Sequence, residues 1–69
     1  GVIKSFFPNG NVSREFEMLN GQFINTYSEY YESGQLMAQS NYLNGTITGK
    51  RFEYHQNGKV KSEEPYVDG

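Results

Sequence analysis

The sequence predicts an all-β fold, an antiparallel meander of three β-hairpin repeats that form a single twisted sheet. Three observations lead to this prediction. The chain of 69 residues repeats itself with a period of 24 residues. The segments between its glycine turns are about 6 to 9 residues long, which is a typical length for strands. These segments are rich in Tyr, Phe, Val, Ile and Thr, the residue types that favour strands.

The repeat is clearest at an aromatic–glycine motif. The motif Tyr30–Leu36 recurs 24 residues earlier, from Phe6, and 24 residues later, from Tyr54. A second column of turn residues has the same spacing: Asn20-Gly21, Asn44-Gly45 and Asp68-Gly69. Such a period fixes the architecture before any single element is assigned. We therefore expect one domain over residues 1–69, built from units of about 1–21, 22–45 and 46–69, as a fragment of a longer repeat protein.

Six strands are predicted between these turns: Val2–Phe7, Asn11–Leu19, Gln22–Tyr31, Gln35–Leu43, Thr48–His55 and Lys59–Val67. Pro8 fits position i+1 of a type I turn, and Gly10 then takes the left-handed conformation of a bulge. This three-residue loop pairs Phe6 with Val12, and the later units pair in the same way. A two-residue loop would instead oppose Phe6 to Ser13 and divide the apolar residues between the two faces, which side-chain alternation makes costly.

The three-residue loop gathers even-numbered apolar residues on one face of the sheet. The predicted apolar face contains Phe6, Val12, Phe16, Met18, Tyr30, Leu36, Ala38, Tyr42, Phe52, Tyr54, Val60 and Tyr66. The predicted polar face contains Glu15, Glu17, Glu29, Gln39, Asn41, Glu53, Lys61 and Glu63. This division is typical of an antiparallel sheet with one solvated side.

The turns at Asn20-Gly21 and Asn44-Gly45 leave two registers open. A two-residue type I′ turn opposes Met18 to Phe23 and so places odd-numbered residues on the apolar face. A bulge near residues 25–26 and 49–50 then returns even-numbered residues to that face by Tyr30 and Phe52. The alternative is a bulged turn without a later correction, which leaves Phe23 and Ile47 on the polar face. The first arrangement is favoured.

A single-layer sheet of this kind has an uncovered apolar face, because no helix is predicted. Large exposed apolar patches mark interaction sites, and aromatic residues are enriched at interface cores. The candidate interaction face is Phe16, Tyr30, Tyr42, Phe52, Tyr54 and Tyr66. The competing interpretation is that these rings only pack against each other as cross-strand pairs. We expect a protein partner or self-association; the identity of any small-molecule ligand is open.

Composition argues against several other functions. The net charge of −2, from six basic and eight acidic residues, does not favour nucleic-acid binding. The absence of Cys excludes a disulfide framework and a thiolate metal site. The single His55 is interpreted as a surface residue beside a turn, and no residue pattern indicates a cofactor, a metal site or an enzyme. A membrane role is not expected, because basic residues occur only in pairs, as at Lys50-Arg51.

The units resemble the MORN-repeat variant family of bacteria, in which the pattern Tyr-Tyr-x-Asn-Gly-x-Leu precedes a polar stretch and Tyr-x-Asn-Gly. The segment Phe52–Glu63 matches this pattern best, whereas the first unit departs from it at Phe6–Pro8 and Phe16–Met18. The resemblance implies an extended twisted sheet of hairpins and a non-enzymatic protein-interaction module. Some bacterial members are classed as antitoxins, and related eukaryotic repeats are associated with membranes and scaffolding.

An alternative function is a module that binds cell-surface carbohydrate or cell-wall ligands. Short aromatic hairpin repeats also resemble the choline- and glucan-binding repeats of bacterial surface proteins. Those repeats rely on Trp, because cation–π recognition favours that ring. This chain has no Trp, so protein interaction is the preferred hypothesis.

Overall fold

The computed structural model describes residues 1–66 and confirms the predicted all-β meander. Its six strands are β1 (Val2–Phe6), β2 (Val12–Leu19), β3 (Gln22–Tyr30), β4 (Leu36–Leu43), β5 (Thr46–Tyr54) and β6 (Val60–Tyr66). The strands form one sheet in sequence order, and each pairs antiparallel with its neighbour. The predicted strand ends differ from the observed ones by at most two residues. The predicted end of the last strand at Val67 and the turn at Asp68-Gly69 lie outside the described residues.

The three-residue turns form as predicted. In the first turn, the Phe7 N–H donates to the Asn11 carbonyl over 2.8 Å, and the Gly10 N–H donates to the Phe7 carbonyl over 2.9 Å. Gly10 adopts a φ of 93°, which glycine takes more readily than other residues. The same two bonds recur in the other two units. Phe6 therefore pairs with Val12, and the equivalent pairs Tyr30–Leu36 and Tyr54–Val60 also form.

The two-residue turns also form as predicted. Asn20 and Gly21 have φ values of 51° and 78°, and Asn44 and Gly45 repeat this conformation. Two successive positive φ angles define the type I′ turn, which Asn-Gly adopts most readily. Met18 therefore faces Phe23 across the first of these hairpins.

The predicted single apolar face is wrong, because each unit has a second bulge beside its three-residue turn. Ser5 pairs with Arg14 while Phe6 pairs with Val12, which leaves Ser13 as an extra residue. Register shifts at the same place in the second and third hairpins leave Met37 and Lys61 extra. One inserted residue reverses the side-chain alternation along the strand. Phe6 and Val12 consequently lie on the opposite face from Phe16.

The bulge predicted after each two-residue turn is present, but it has a different effect from the expected one. Glu15 pairs with Ser28 and Glu17 pairs with Ile24, so residues 25–27 together face Phe16. The φ values of 60° at Asn25 and 70° at Gly49 mark the same position in two units. Because two extra residues are inserted rather than one, the alternation is unchanged. The side chains of β3 that share a face with Phe16 therefore remain those of odd-numbered residues.

The described residues form one layer without a second layer above or below it. The sheet measures 33 × 26 × 10 Å, so its smallest dimension is that of a single sheet with its side chains. Ala38, with 3% of its surface exposed, is the only buried apolar residue among residues 1–66. Most of the apolar surface therefore remains in contact with solvent on one face or the other.

Candidate interaction surface

The six residues predicted as one interaction face are divided between the two faces. Phe16, Tyr42 and Tyr66 lie on one face, and Tyr30, Phe52 and Tyr54 lie on the other. There are two physical reasons. The type I′ turns place odd-numbered residues of β3 and β5 on the face of Phe16 and Tyr42, and the bulges at residues 13, 37 and 61 reverse the alternation beside each three-residue turn. We call the first face the aromatic-cluster face, after the ring cluster Phe16, Phe23, Tyr27 and Tyr42. We call the second the hairpin-pair face, after the pairs Phe6–Val12, Tyr30–Leu36 and Tyr54–Val60.

On the aromatic-cluster face, four rings pack closely against one another. Phe16 stacks on Tyr27 with a centroid separation of 5.1 Å and meets the edge of Phe23 at 5.4 Å. Tyr42 extends the cluster to β4, with its ring 5.2 Å from that of Phe23. All four rings are half-buried. Such pairs contribute roughly 0.5–1.5 kcal/mol each beyond the burial of their area, so this cluster stabilises the sheet.

Phe23 and Tyr27 were missing from the predicted interaction face. The type I′ turn, which opposes Phe23 to Met18, was the sequence signal for Phe23. Tyr27 could be placed only by knowing that the bulge at residues 25–27 inserts two residues and so keeps the alternation. The Arg14 guanidinium donates to the Tyr27 hydroxyl over 3.4 Å, and this contact raises the pKa of Arg14.

Charged residues extend the aromatic-cluster face towards β6. Arg51 lies 3.1 Å from Glu53 and 4.0 Å from Glu29. The Ser62 hydroxyl donates to Glu53 over 2.7 Å, and this bond, followed by the contact with Arg51, lowers the pKa of Glu53. Glu29 and Glu53 had been assigned to a polar face opposite Tyr42, and that assignment is wrong because of the same bulges.

At the three-residue turns, the hairpin-pair face has an apolar stripe. The stripe consists of the three cross-strand pairs Phe6–Val12, Tyr30–Leu36 and Tyr54–Val60. Its two ends are the most open, since Phe6 is 60% exposed and Val60 is 55% exposed. Phe52 lies beside the stripe, with its ring stacked near that of Tyr54 at 6.3 Å. The stripe therefore runs across all three hairpins, from one outer strand of the described sheet to the other.

The middle of the hairpin-pair face is polar. Ion pairs join Lys4 to Glu15 over 3.4 Å and Lys50 to Glu63 over 2.9 Å. A shallow open pocket of about 330 Å³ lies between these pairs, and its lining includes Glu15, Glu17, Ser28, Tyr30 and Gln39. Gln39 donates to the hydroxyl of the buried Ser28 over 3.3 Å. The pocket lining thus combines hydrogen-bonding groups with two aromatic residues, Phe16 and Tyr30.

Hydrogen bonds between successive three-residue turns hold the hairpins in place. The Asn9 and Asn11 amides both donate to the Glu32 carbonyl, over 2.9 Å and 2.8 Å. The Tyr31 hydroxyl donates to the Tyr54 carbonyl over 2.7 Å. Each bond links one unit to the next, so the turns line one end of the sheet at a fixed spacing and position the apolar stripe.

Other candidate chemistry is sparse in the described part of the chain. His55 is exposed and flanks the third three-residue turn, where its backbone N–H donates to the Lys59 carbonyl over 2.8 Å. Residues 1–66 contain no group of three or more His, Cys, Asp or Glu side chains that could hold a metal ion. No helix in that range has the length and apolar character needed to cross a membrane.

Comparison with known proteins identifies the repeat. The family model described as MORN repeat variant matches residues 1–20, 25–44 and 47–68. Each match covers most of one hairpin together with the three-residue turn that joins its two strands. Searches of curated proteins and of solved structures find no significant match.

Proposed function

Because the chain belongs to the MORN repeat variant family, whose members are generally repeat modules for membrane or protein interaction, we propose that it is a non-enzymatic protein-interaction module. The hairpin-pair face binds the partner protein, and its apolar stripe supplies the centre of the interface. An antitoxin-like role is one form of this proposal, in which the bound partner is a toxic protein.

The observation that carries this proposal is the uncovered stripe of cross-strand apolar pairs. A single-layer sheet must leave some apolar surface open, and here apolar cross-strand pairs recur at the same position in each unit. Phe6 and Val60, at the two ends of the stripe, are exposed, and the side chains between them are half-buried. Phe6, Tyr30 and Tyr54 lie two strands apart, a spacing of about 10 Å between neighbours. Aromatic anchors in a row, surrounded by polar residues, match the usual anatomy of a protein interface.

The aromatic-cluster face supports binding indirectly in this proposal. Its four rings pack against each other and are all half-buried, whereas the stripe has exposed side chains at both of its ends. Tyr42 therefore contributes to the stability of the sheet, whereas Tyr54 contributes to recognition. Preorganisation of this kind reduces the ordering cost of binding.

The test compares apolar residues inside the stripe with an apolar residue outside it. Proteins captured from a lysate of the source cells by the immobilised chain are identified, purified and measured against the variants by calorimetry. Phe6→Ser and Tyr54→Ser should weaken binding by about tenfold or more, as expected for truncated interface anchors. Leu43→Ser is the matched control, since Leu43 is as exposed as Phe6, at 60%, but lies at the other end of the same face. Equal loss with Leu43→Ser, or no loss with the stripe variants, would contradict the proposal.

A second candidate function is carbohydrate binding in the shallow pocket of the hairpin-pair face. The observation in its favour is the combination of Glu15, Ser28 and Gln39 with the ring of Tyr30 around about 330 Å³. Polar side chains beside an aromatic ring suit a sugar, which presents hydroxyls and an apolar ring face. A glycan array tests this function, and a bound glycan should be lost with Gln39→Ala but retained with Val60→Ser, because Val60 lies outside the pocket lining.

A further inference from the structure

The shallow pocket of the hairpin-pair face lies beside the middle of the apolar stripe, because Tyr30 belongs both to the pocket lining and to the pair Tyr30–Leu36. The residues that line it come mostly from β2, β3 and β4, which are paired on both sides in the described sheet. We propose that this pocket binds a basic side chain, Lys or Arg, of the partner protein. This inference rests on the proposed function, and it adds the chemistry of the residue that the partner presents next to the stripe.

Charge is the first argument for a cation as the occupant. The pocket lining contains two carboxylates, Glu15 and Glu17, and no Lys, Arg or His side chain from the described residues. Glu15 has an ion pair with the exposed Lys4 over 3.4 Å. Glu17 has no ion pair within residues 1–66, although its carboxylate accepts from the Asn25 amide over 3.0 Å. The charge of the half-buried Glu17 is therefore left without a cation, which an incoming ammonium or guanidinium group supplies.

The next unit supplies the second argument, because it places a cation of its own at the equivalent position. The residue 24 positions after Thr26 is Lys50, whose ammonium lies 2.9 Å from Glu63. Glu63 is in turn the equivalent of Gln39, which lines the pocket. At the pocket, the shorter Thr26 donates its hydroxyl to Asn41 over 3.0 Å instead. The repeat therefore accommodates an ammonium group on this part of the face, and the described residues supply none to the pocket.

The space in the pocket is the third argument, and it arises from another difference between the units. The residue 24 positions after Ser28 is Phe52, so β5 has a large ring where the pocket has a small hydroxyl side chain. Ser28 is buried and accepts from the Gln39 side-chain amide over 3.3 Å. The resulting volume of about 330 Å³ is large enough for the end of a Lys or Arg side chain.

Tyr30 supplies the aromatic part of the recognition. A cation placed against the face of a Tyr ring is attracted by the charge distribution of that ring, and Tyr30 is half-buried at the border between pocket and stripe. The alkyl part of Lys or Arg packs against apolar surface while the charged end reaches a polar group, here the carboxylates of the lining. The partner therefore presents a basic residue adjacent to the apolar residues that contact the stripe. The net charge of −2 on the chain also favours a basic partner.

The first experiment titrates the 69-residue chain with N-acetyl-lysine methylamide at millimolar concentrations and follows the amide signals by heteronuclear NMR. Shifts should concentrate at Thr26, Ser28 and Gln39, and the matching norleucine derivative, which has no amine, should produce none. Glu17→Gln should weaken binding of the lysine derivative by about threefold, the usual effect of losing one partly exposed ion pair. Glu63→Gln is the matched control and should leave binding unchanged, because Glu63 lies on the same face but outside the pocket lining.

Two further variants fill the pocket with the residues of the next unit. Thr26→Lys supplies an internal ammonium, as Lys50 does beside Glu63, and should abolish binding of the lysine derivative. Ser28→Phe fills the space with the ring that Phe52 has at the equivalent position, and should abolish binding as well. Thermal unfolding followed by circular dichroism shows whether each variant is folded. Thr26 is exposed, so Thr26→Lys keeps the test valid if Ser28→Phe does not fold.

Failure of this inference and failure of the proposed function give different results. Partner binding that is weakened by Tyr54→Ser and also by Thr26→Lys supports both. Partner binding that is weakened by Tyr54→Ser but unchanged in Thr26→Lys and Glu17→Gln overturns the inference and leaves the proposed function standing, and equal shifts with the lysine and norleucine derivatives also overturn it. If the lysine derivative binds while Tyr54→Ser and Phe6→Ser leave partner binding unchanged, the proposed function alone is contradicted.

Carbohydrate binding in the same pocket is a further outcome of the test. A sugar makes hydrogen bonds that do not require the charge of Glu17. A glycan that shifts the same amide signals and binds Glu17→Gln as well as the unmodified chain, where the lysine derivative does not bind, overturns the inference in favour of that function.

Discussion

Replacing Tyr31 by Phe removes one hydrogen bond between two units and keeps the ring. The Tyr31 hydroxyl donates to the Tyr54 carbonyl over 2.7 Å in a half-buried position. A hydrogen bond of this kind contributes about 1 kcal/mol net, and more if the carbonyl is left without a partner. We therefore expect the free energy of unfolding to fall by about 1 kcal/mol, and the melting temperature by about 4–8 °C in a chain of this size. Urea and thermal unfolding followed by circular dichroism measure both values.

The repeat supplies both a control and a reverse substitution for this experiment. Tyr30→Phe also removes a hydroxyl, but that hydroxyl has no hydrogen-bond partner among the described residues, so stability should change little. Phe7 occupies the position of Tyr31 in the first unit. Phe7→Tyr should therefore create the missing bond to the Tyr30 carbonyl and raise the melting temperature. Equal effects of Tyr31→Phe and Tyr30→Phe would refute the reasoning, as would a loss of stability in Phe7→Tyr.

Three further predictions concern the bulge, the charged cluster and the rings. Gly49→Ala should lower the free energy of unfolding in urea by about 1 kcal/mol, because the φ of 70° at Gly49 is strained for alanine. A Cβ would meet no atom within 4 Å, so no steric clash adds to this cost. Gly49→Asn should cost less, since Asn25 holds the equivalent position in another unit with a φ of 60°. Ser62→Ala should raise the midpoint of the Glu53 carboxyl titration by NMR, because the Ser62 hydroxyl is the main cause of its lowered pKa. Tyr27→Ala should cost about 2 kcal/mol of unfolding free energy, because it opens a half-buried aromatic cluster.

These predictions have clear contrary outcomes. If Gly49→Asn costs as much as Gly49→Ala, the backbone explanation of the bulge is wrong. Because the pKa of Glu53 is lowered in the folded state, its contribution to stability is present above the unfolded pKa of about 4.3 and is lost as the pH falls through the folded value. Ser62→Ala should therefore reduce the loss of stability on acidification. If the free energy of unfolding falls equally at low pH in Ser62→Ala and in the unmodified chain, this linkage is wrong. A negligible effect of Tyr27→Ala would show that the cluster does not stabilise the sheet.

The periodicity of the sequence was sufficient to predict the fold. Glycine at a fixed spacing and Asn-Gly pairs between aromatic segments determine strand number, order and both turn types. The pairing of Phe6 with Val12 followed from the turn geometry alone. These features are local, since each depends on a few residues whose backbone preferences are strong.

The distribution of side chains between the faces could not be predicted in the same way. It depends on whether each bulge inserts one residue or two, and the residues at these positions give no common signal. Ser13, Met37 and Lys61 share one bulge column but differ in size, charge and polarity. The bulge is therefore imposed by the strand pairing rather than by a particular side chain. Beyond the bulge, odd and even residue numbers no longer tell which face of the sheet a side chain occupies.

The two kinds of bulge together explain how a single-layer sheet can be both folded and open to a partner. The bulge at residues 25–27 keeps Phe23 and Tyr27 on the side of Phe16, so the rings from the middle of the sheet gather on one face. The bulge beside each three-residue turn moves the pairs such as Tyr30–Leu36 to the other face. If all of these residues lay on one face, cluster and stripe would compete for the same contacts. Their separation lets one face stabilise the sheet while the other remains available for binding.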